Sequence, residues 1–186
     1  MPKLISFTSI SLDGYFTDPS GDMSWAHSQD PEWNAFVAGN ASGNGRLVFG
    51  RVTYQMMAAF WPTPAAAQAM PQVAAGMNAM PKIVFSRTMT RADWQNTEVK
   101  KGGPAEEMSR LKRDGGPDMA ILGSGSIVAQ LAEAELIDEI QIVTVPLVLG
   151  RGRSLFAGAS RHLPLTLTSS RRFQNGNVFN CYGPKR

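Results

Sequence analysis

The hydrophobic pattern of the first forty-five residues changes from strand-like to helix-like. Residues 3–10 are rich in β-forming side chains and predict a strand, which we place at the centre of a sheet. A polar loop with proline and glycine follows at residues 17–30. Asp30 and Pro31 then predict a helix start, because aspartate caps helix N-termini and proline suits the first helical position. We expect this helix to fade within the glycine-rich residues 39–45.

The middle of the chain alternates between the two patterns in short units. Residues 118–156 are the clearest example, with a buried-type strand, a small-residue turn, a helix, a second strand and a glycine-rich exit. Such alternation is typical of a parallel sheet flanked by helices. The other expected elements are strands at 46–49, 82–85 and 97–100, and helices at 52–60, 65–80 and 104–113.

The C-terminal pattern is different, because two strand-like runs follow each other without a helix between them. They cover residues 163–172 and 177–182, and Asn175-Gly176 between them is a strong hairpin signal. The chain is therefore expected to form one α/β domain over residues 1–186. Its central sheet would be mixed but mostly parallel, flanked by helices, with an antiparallel hairpin at the C-terminal end.

Composition excludes several classes of protein. The 186 residues are 43% hydrophobic, which is enough for one sizeable core, and contain no run of 18 apolar residues that could span a membrane. The net charge of +3 is too small to indicate nucleic-acid binding. The single cysteine, Cys181, excludes an internal disulfide and fits a cytoplasmic location. His27, His162 and Cys181 lack metal-ligand spacing, so no metal site is expected.

Three polar segments follow directly after the C-terminal ends of predicted strands. They are Gly50–Thr53, Ser86–Thr88 and Gly123–Ser126. Ligands of α/β proteins collect outside these strand ends. Two of the segments place an arginine beside a hydroxyl residue, which suits a phosphate ester, and the third opens a helix whose N-terminus attracts an anion. An adenine dinucleotide with an extra 2′-phosphate would use all three.

The small-residue turn Gly123-Ser124-Gly125-Ser126 also has a purely structural interpretation. Glycines can let a ligand approach the backbone, but they can equally allow a tight packing turn. The usual dinucleotide motif is absent, because position 128 holds Val128 instead of glycine, and no Walker lysine follows. A nucleotide bound here would be held by a different scheme.

Four motifs carry a resemblance to a known family. They read SLDGYF from residue 11, LVFGRVTYQMM from 47 with FWP from 60, KIVFSRT from 82, and ILGSGSI from 121 continuing to LIDEIQIVTVPLVLGRGRSLF at 136–156. In order and spacing the chain resembles the dihydrofolate reductase-like superfamily. The most similar branch is the C-terminal reductase domain of the bacterial riboflavin-biosynthesis deaminase/reductase.

The resemblance implies an NADPH-dependent reductase. Its activity would be hydride transfer to a pterin- or pyrimidine-like heterocycle, of the 5-amino-6-(5-phosphoribosylamino)uracil reductase type. By matching position, the first segment would meet the cofactor phosphates, the second would hold the adenosine 2′-phosphate, and the third would cradle the diphosphate. These expected cofactor-binding residues are Gly50, Arg51, Thr53, Ser86, Arg87, Thr88, Gly123, Ser124, Gly125, Ser126 and Ile127.

The acceptor side of such a site is less well defined by the sequence. Asp13 is the carboxylate expected beside the nicotinamide and is the candidate catalytic residue, although it could instead form a turn. Trp25, Tyr54 and Trp61 are candidates for an aromatic substrate slot, with core packing as the alternative. The riboflavin-pathway enzymes typically have lysine where this chain has Tyr15.

Two other functions stay open at this point. Dihydrofolate reductases place a carboxylate on their first helix, where this chain aligns best at Asn34, so folate reduction is less well supported. A nucleotide-binding protein without turnover is the second alternative. The resemblance also implies a homodimer, for which the apolar run 140–149 is a candidate interface.

Overall fold

The computed structural model describes residues 1–28, 30–41 and 43–185. Strands and helices alternate along most of the chain, as the sequence predicts. The strands are β1 (Leu4–Ser11), β2 (Tyr15–Thr17), β3 (Arg46–Gly50), β4 (Lys82–Phe85), β5 (Thr97–Lys100), β6 (Met119–Leu122), β7 (Glu139–Val145), β8 (Arg153–Ser154), β9 (Leu165–Arg172) and β10 (Val178–Pro184). The helices are α1 (Pro31–Ala41), α2 (Arg51–Phe60), α3 (Pro64–Ala69), α4 (Pro71–Ala79), α5 (Pro104–Asp114) and α6 (Gly125–Glu133), with a 3-10 turn at Ser24–Ala26.

Eight strands form one sheet in the order β5-β4-β3-β6-β1-β7-β10-β9. Every pair from β5 to β7 is parallel, and β10 runs antiparallel to both β7 and β9. The expected mixed, mostly parallel sheet with an antiparallel C-terminal hairpin is confirmed, and β1 lies centrally as predicted. Because six strands point the same way, their carboxyl ends share one edge of the sheet.

Apolar side chains from the sheet and the helices form the core in three clusters. Ile121 and Leu131 belong to the cluster that includes residues of α5 and α6. Phe49 and Trp94 belong to a second cluster, with residues of α2 and α4. Trp33 of α1 packs at 5.1 Å, edge to face, on Phe173 beside the C-terminal hairpin. Helices therefore cover the sheet and hold its carboxyl edge in place.

One expectation about local structure is wrong. Residues 65–80 do not form one helix, because Met70 leaves the helical region at φ −143° and Pro71 starts α4. Proline has no N–H to continue the hydrogen-bond ladder of α3. The run 140–149 stays a predicted interface. Its first part lies in β7, which is paired on both sides and buries Ile142 and Val143, whereas Leu147 and Val148 are exposed.

A separate two-stranded sheet was not predicted from the sequence. Strands β2 and β8 pair antiparallel, although both are very short. Among the described residues, no helix has the length and apolar character needed to cross a bilayer.

Candidate functional site

The segments that follow β4, β3, β6 and β1 lie side by side at the carboxyl edge, because these four strands are neighbours in the sheet. Three of the segments contain the sequence-predicted cofactor residues, and the fourth contains Asp13. Residues that are far apart along the chain are thus gathered at one edge. The structure brings the predicted phosphate-binding segments together as one surface.

The turn between β6 and α6 is built from two residues in left-handed conformation. Gly123 has φ +57°, and Ser124 has φ +59° and ψ +57°. The Ser124 hydroxyl accepts a hydrogen bond from the Gly50 amide at 2.9 Å, so it links this turn to the end of β3 and does not cap its own helix. Helix α6 therefore begins without a side-chain cap. The Ile127 and Val128 amides donate to the Ser124 carbonyl, and among the described residues the Gly125 and Ser126 amides have no acceptor.

The glycines at the edge are required for close packing between elements. A Cβ atom on Gly50 would lie 3.2 Å from Ile127 Cγ1, and one on Gly125 would lie 2.5 Å from Phe16 Cε1. A Cβ on Gly123 would lie 3.5 Å from Thr53, an ordinary contact distance, so this glycine is needed for its φ of +57° and not for space. The packing interpretation of these glycines is thus supported. An anion at this turn would be held by backbone amides, since other protein atoms already occupy the space beside the glycines.

Two arginines on neighbouring segments have no acidic partner among the described residues. Arg51 is exposed at the start of α2, and its Nη1 donates to Gln55 Oε1 at 3.1 Å. The exposed Arg87 guanidinium has no hydrogen bond or ion pair within the described part of the chain. Both guanidinium groups are therefore available to an external anion.

Ser86 shapes the turn that carries Arg87. Its buried hydroxyl accepts hydrogen bonds from the Thr88 amide at 3.3 Å and the Met89 amide at 3.0 Å. Lys101 Nζ contacts the Arg87 and Met89 carbonyl oxygens from the far side. Lys101 was missed from the sequence, where the only available signal is a lysine just after an edge strand.

Two open clefts adjoin these segments. One has a volume of about 350 Å³ and lies between the ends of β4 and β5 and helix α6; Ser86, Arg87, Lys101, Ile127 and Gln130 contribute to its lining. The other, of about 550 Å³, lies between α2 and the loop after β4, and Arg51, Gln55 and Thr88 contribute to its lining. Both volumes fall within the range of small-molecule sites. Each cleft has one of these two arginines in its wall, and the ion pair of Arg91 and Asp93 also lines the second cleft.

Asp13 anchors a distant loop. Its carboxylate accepts hydrogen bonds from the Ser11 hydroxyl at 2.7 Å and from the amides of Leu149 and Gly150 at 3.1 Å and 2.7 Å. The Ser11 hydrogen bond first, and then the two amides, lower the pKa of the Asp13 carboxyl below its ordinary value. A carboxylate held ionised in this way is a poor proton donor near neutral pH. Its catalytic role stays a prediction, and the geometry favours a structural one.

The same loop closes over the turn before α6. The Leu12 amide donates to the Leu147 carbonyl at 2.7 Å, and β2 and β8 then pair alongside. Phe16 of β2 packs directly against Gly125. Gly152 is needed here, because its Cβ would lie 2.2 Å from the Thr17 carbonyl oxygen. Residues 12–17 and 147–154, which we call the flap, thus cover one side of the candidate site.

The three aromatic residues predicted to form a substrate slot do not form one surface: Tyr54 and Trp61 share a core cluster, and Trp25 lies apart from them. Tyr54 is buried against Phe49 and Trp94, and its hydroxyl accepts a hydrogen bond from the Trp94 amide at 3.0 Å. Trp61 packs against the same core cluster, whereas Trp25 lies in the 3-10 turn. No ring pair among the described residues joins Trp25 to either of the others. Tyr54 is thus packed in the core, and it also contributes to the lining of the second cleft.

The family model of the RibD C-terminal domain matches residues 2–179. The chain belongs to this family. Two curated relatives are the uncharacterized proteins YyaP and YwjB of Bacillus subtilis (strain 168). YyaP is 24% identical over 97% of this chain and 94% of its own length, and YwjB is 22% identical over 92% of each. The predicted resemblance to the reductase domain of riboflavin biosynthesis is therefore confirmed.

Solved structures establish the same fold. A putative riboflavin biosynthesis protein from Shewanella sp. PV-4 has a TM-score of 0.75 at 24% identity, with 99% of both chains covered. A pyrimidine reductase-like protein from Corynebacterium diphtheriae has a TM-score of 0.67 at 14% identity, covering 100% of this chain and 92% of its own. The Thermotoga maritima deaminase/5-amino-6-(5-phosphoribosylamino)uracil reductase has a TM-score of 0.69 at 14% identity, and 57% of its longer chain is covered.

Membership of the RibD C-terminal domain family supports an oxidoreductase in general. NADPH is the cofactor associated with this reductase family, and the residues present fit such a group. Two guanidiniums without acidic partners among the described residues and the uncapped start of α6 offer three places for phosphates within one edge surface. Groups of three or more histidine, cysteine, aspartate or glutamate side chains that could hold a metal ion are not found in the described ranges.

The first helix offers no free carboxylate for a pterin. Asp30 caps α1, because its Oδ1 accepts a hydrogen bond from the Trp33 amide at 2.8 Å, as the sequence predicted. Glu32 forms an ion pair with Arg171 at 2.9 Å. The carboxylates near the expected acceptor side thus all have partners within the protein.

Proposed function

We propose that this protein is an NADPH-dependent reductase that transfers a hydride to a small pterin- or pyrimidine-like heterocycle. The observation that carries the proposal is the gathering of Arg51, Arg87 and the start of α6 on one edge, with both guanidiniums lacking acidic partners among the described residues. A guanidinium without an acidic partner is suited to bind an anion, because no ion pair must be broken first; Arg51 has only its hydrogen bond to the neutral Gln55 side chain.

Arg51, Arg87 and the start of α6 each have a separate role in this proposal. Arg87 meets the adenosine 2′-phosphate, the group that distinguishes NADPH from NADH. Arg51 and the Thr53 hydroxyl meet the phosphates nearer the centre, and the amides that open α6 hold the diphosphate. When bound, NADPH supplies the hydride, and the flap excludes water from one side of the site.

An apolar acceptor region is supported by exposed side chains near the same edge. Leu12 and Val148 on the flap are 66% and 63% exposed, and Val52 and Met56 on α2 are also exposed. A planar heterocycle could cover such surface and remove it from water. Tyr15 stands where the riboflavin-pathway enzymes typically have lysine, so the proposal does not require a sugar phosphate. The relatives named for pyrimidine reduction support the heterocycle class.

Cofactor binding is tested by titrating NADPH and NADH while following nicotinamide fluorescence. We expect NADPH to bind the wild-type protein more tightly than NADH does. Arg87→Ala should weaken the binding of NADPH more than the binding of NADH. Arg110→Ala is the matched control, because Arg110 is exposed on α5, lines neither cleft and is already paired with Glu107 at 2.7 Å. Equal losses for both cofactors in Arg87→Ala, or no binding of either by the wild-type protein, would contradict the proposal.

Turnover is tested separately with a panel of oxidised pterins and pyrimidines, following NADPH absorbance. A nucleotide-binding protein without turnover is the second candidate. It is favoured because the carboxylates of Asp13, Asp30 and Glu32 already accept hydrogen bonds or form an ion pair within the protein. Reproducible NADPH oxidation with any member of the panel rejects it. NADPH binding without NADPH oxidation by any compound of the panel supports the nucleotide-binding protein over the reductase.

A cytoplasmic location is part of the proposal, supported by the free, buried Cys181.

A further inference from the structure

Strands β4 and β5 are joined by the described residues 86–96, which contain no helix. The two strands are parallel, so this segment must return from the carboxyl edge of the sheet to its amino edge. Parallel neighbours are usually joined by a helix, whose own hydrogen bonds keep it in shape. Residues 86–96, which we call the crossover, carry Arg87 and one wall of the second cleft. Contacts from outside the crossover must therefore hold it in position.

The ammonium group of Lys82 holds the far end of the crossover. Lys82 is the first residue of β4, and only 2% of its surface is exposed. Its Nζ donates to the carbonyls of Asn78 and Met80, at the end of α4, at 3.1 Å and 2.7 Å. It also donates to the Gln95 carbonyl of the crossover at 3.2 Å. One buried side chain thus joins a strand, a helix end and the crossover.

The surroundings of the Lys82 ammonium are those of a cation site. Among the described residues it has no acidic partner, and its oxygen acceptors are uncharged carbonyls. The Trp94 ring centroid lies 4.4 Å from Nζ, and the face of an indole ring attracts a cation. Carbonyls at a helix C-terminus attract cations as well. Burial lowers the pKa of Lys82 to about 8, so the group is still mainly protonated at pH 7.

Trp94 connects this cation site to α2. Its backbone amide donates to the Tyr54 hydroxyl at 3.0 Å, and its indole Nε1 donates to Asn78 Oδ1 at 2.7 Å. Tyr54 lies in the first turn of α2, the helix that begins at Arg51. The segment that carries Arg87 and the helix that carries Arg51 are therefore joined at Trp94.

We propose that the backbone carbonyls of residues 78–80 and 95 form a site for an ammonium-type cation, which Lys82 fills from within the protein, and that this cation positions the crossover against α2. Lys82 is a positioning residue and not a catalytic one, because it lines neither cleft. When the lysine side chain is shortened, the same site should accept a free primary ammonium ion. The cation site does not depend on the proposed function, although it supports the segments that the proposed function uses.

Chemical rescue tests the site directly. Lys82→Ala removes the outer methylenes and the ammonium group, and n-propylammonium supplies the same atoms. The melting temperature should fall by about 3–12 °C, because hydrogen bonds from a charged donor are lost. Compared with the wild-type protein in the same solution, n-propylammonium should restore part of this loss. Two probes should not: 1-propanol, which lacks the charge, and tetramethylammonium, which has the charge but no N–H donor.

Hydrogen exchange shows whether the cation positions the crossover or only adds stability to the whole fold. In Lys82→Met, the rate for the Trp94 amide, which Tyr54 protects, should rise roughly tenfold more than the rates for β1 amides. Lys112→Met is the matched control, because Lys112 is also buried but forms an ion pair with Asp138 away from the crossover. It should cause no such excess at Trp94.

Three results would each overturn the proposal. The first is a Lys82→Ala variant that n-propylammonium stabilises no more than 1-propanol does. The second is a Lys82→Met variant without excess exchange at Trp94, and the third is the same excess in Lys112→Met. Lys82→Met keeps the test decisive where Lys82→Ala does not fold. None of these results depends on NADPH, so a wild-type protein that binds no cofactor would contradict the proposed function and leave the cation site to be decided by rescue and exchange.

Discussion

The phosphate side and the acceptor side of the candidate site differ in how their charged groups are used. On the phosphate side, Arg51 and Arg87 have no acidic partner among the described residues. On the acceptor side, Asp13, Asp30 and Glu32 each accept hydrogen bonds from the protein. The unpaired cations define where an anion can bind. The hydrogen-bonded carboxylates stabilise the shape of the site, and they are poorly suited to donate a proton to a substrate.

The physical basis of this difference is that an exposed cation can stay hydrated at little cost, whereas each carboxylate here stabilises a particular loop or helix start. Asp13 fixes the flap, and Asp30 fixes the first turn of α1. Removal of a phosphate-side cation should therefore change ligand affinity and leave stability unaffected. Changes on the acceptor side should mainly alter stability.

The largest expected effect is on cofactor affinity. Arg51→Ala should lower the affinity for NADPH and NADH alike, because both cofactors carry the central phosphates. Arg87→Ala should lower mainly the affinity for NADPH. Loss of one charge-assisted contact is worth about 1.5–3 kcal/mol, which corresponds to roughly a tenfold to hundredfold rise in Kd. Fluorescence titration of both cofactors measures the change.

Gln55→Ala is the control for that experiment, because it removes the one hydrogen-bond partner that the Arg51 side chain has among the described residues without removing the cation. Both cofactors should bind it nearly as well as they bind the wild-type protein. If Arg51→Ala lowers the melting temperature but leaves both affinities unchanged, Arg51 belongs with the structural residues and the comparison fails.

The second prediction concerns the flap. Gly152→Ala places a methyl group where the Thr17 carbonyl lies 2.2 Å away, so β2 and β8 must separate. Overpacking of this kind costs about 1–3 kcal/mol. Thermal unfolding measures it, with Gly103→Ala as the control, because a Cβ on Gly103 meets no atom within 4 Å. Equal melting temperatures for the two variants would show that the flap contributes nothing to stability.

Most of the fold follows from local patterns in the sequence. The βα alternation, the Asp30-Pro31 helix start and the Asn175-Gly176 hairpin each depend on a few neighbouring residues, and all three are present in the structure. The common location of the three predicted phosphate-binding segments followed from the sequence, because strand ends of a parallel sheet share one edge. A local signal also explains the error at residues 65–80, because Pro71 has no N–H with which to continue the hydrogen-bond ladder of α3.

The acceptor side could not be predicted in the same way, because its contacts join distant parts of the chain. Asp13 meets Gly150 across 137 positions, and Ser124 meets Gly50 across 74. No spacing rule identifies such partners before the fold is known. Tyr54 has the same problem: its sequence neighbours suit a ligand slot, but Trp94, 40 residues away, places it in the core.

The third prediction places Ser86 on the structural side of the comparison. Ser86→Ala removes the hydroxyl that accepts hydrogen bonds from the Thr88 and Met89 amides. The cost should be about 0.5–1.5 kcal/mol in the free energy of unfolding. Chemical denaturation measures it, and Ser86→Thr, which keeps a hydroxyl, should restore stability. A loss of NADPH affinity with unchanged stability would instead indicate direct contact with the 2′-phosphate.

The fourth prediction concerns Asp13. Asp13→Asn should change stability least at neutral pH, and it tests most directly whether this carboxyl takes part in proton transfer. The pKa of the Asp13 carboxyl lies below its ordinary value of 3.8, first because Ser11 donates to it and then because the Leu149 and Gly150 amides do. A carboxyl with a lowered folded-state pKa contributes stability above its unfolded-state pKa and loses it as the pH falls through the folded value. The wild-type protein should therefore lose stability on acidification below about pH 4, and Asp13→Asn should lose less.

The same variant separates anchoring from proton donation. If Asp13 only holds the flap, Asp13→Asn should leave Kd for NADPH nearly unchanged and preserve the shape of the kcat profile between about pH 5 and 8, since no carboxyl with so low a pKa titrates there. Asp114→Asn, an exposed aspartate at the end of α5, is the control. A general acid would instead contribute roughly a hundredfold or more to kcat. A loss of that size at unchanged NADPH affinity, with a titration step missing from the profile, would move Asp13 from the architecture of the acceptor side to its chemistry.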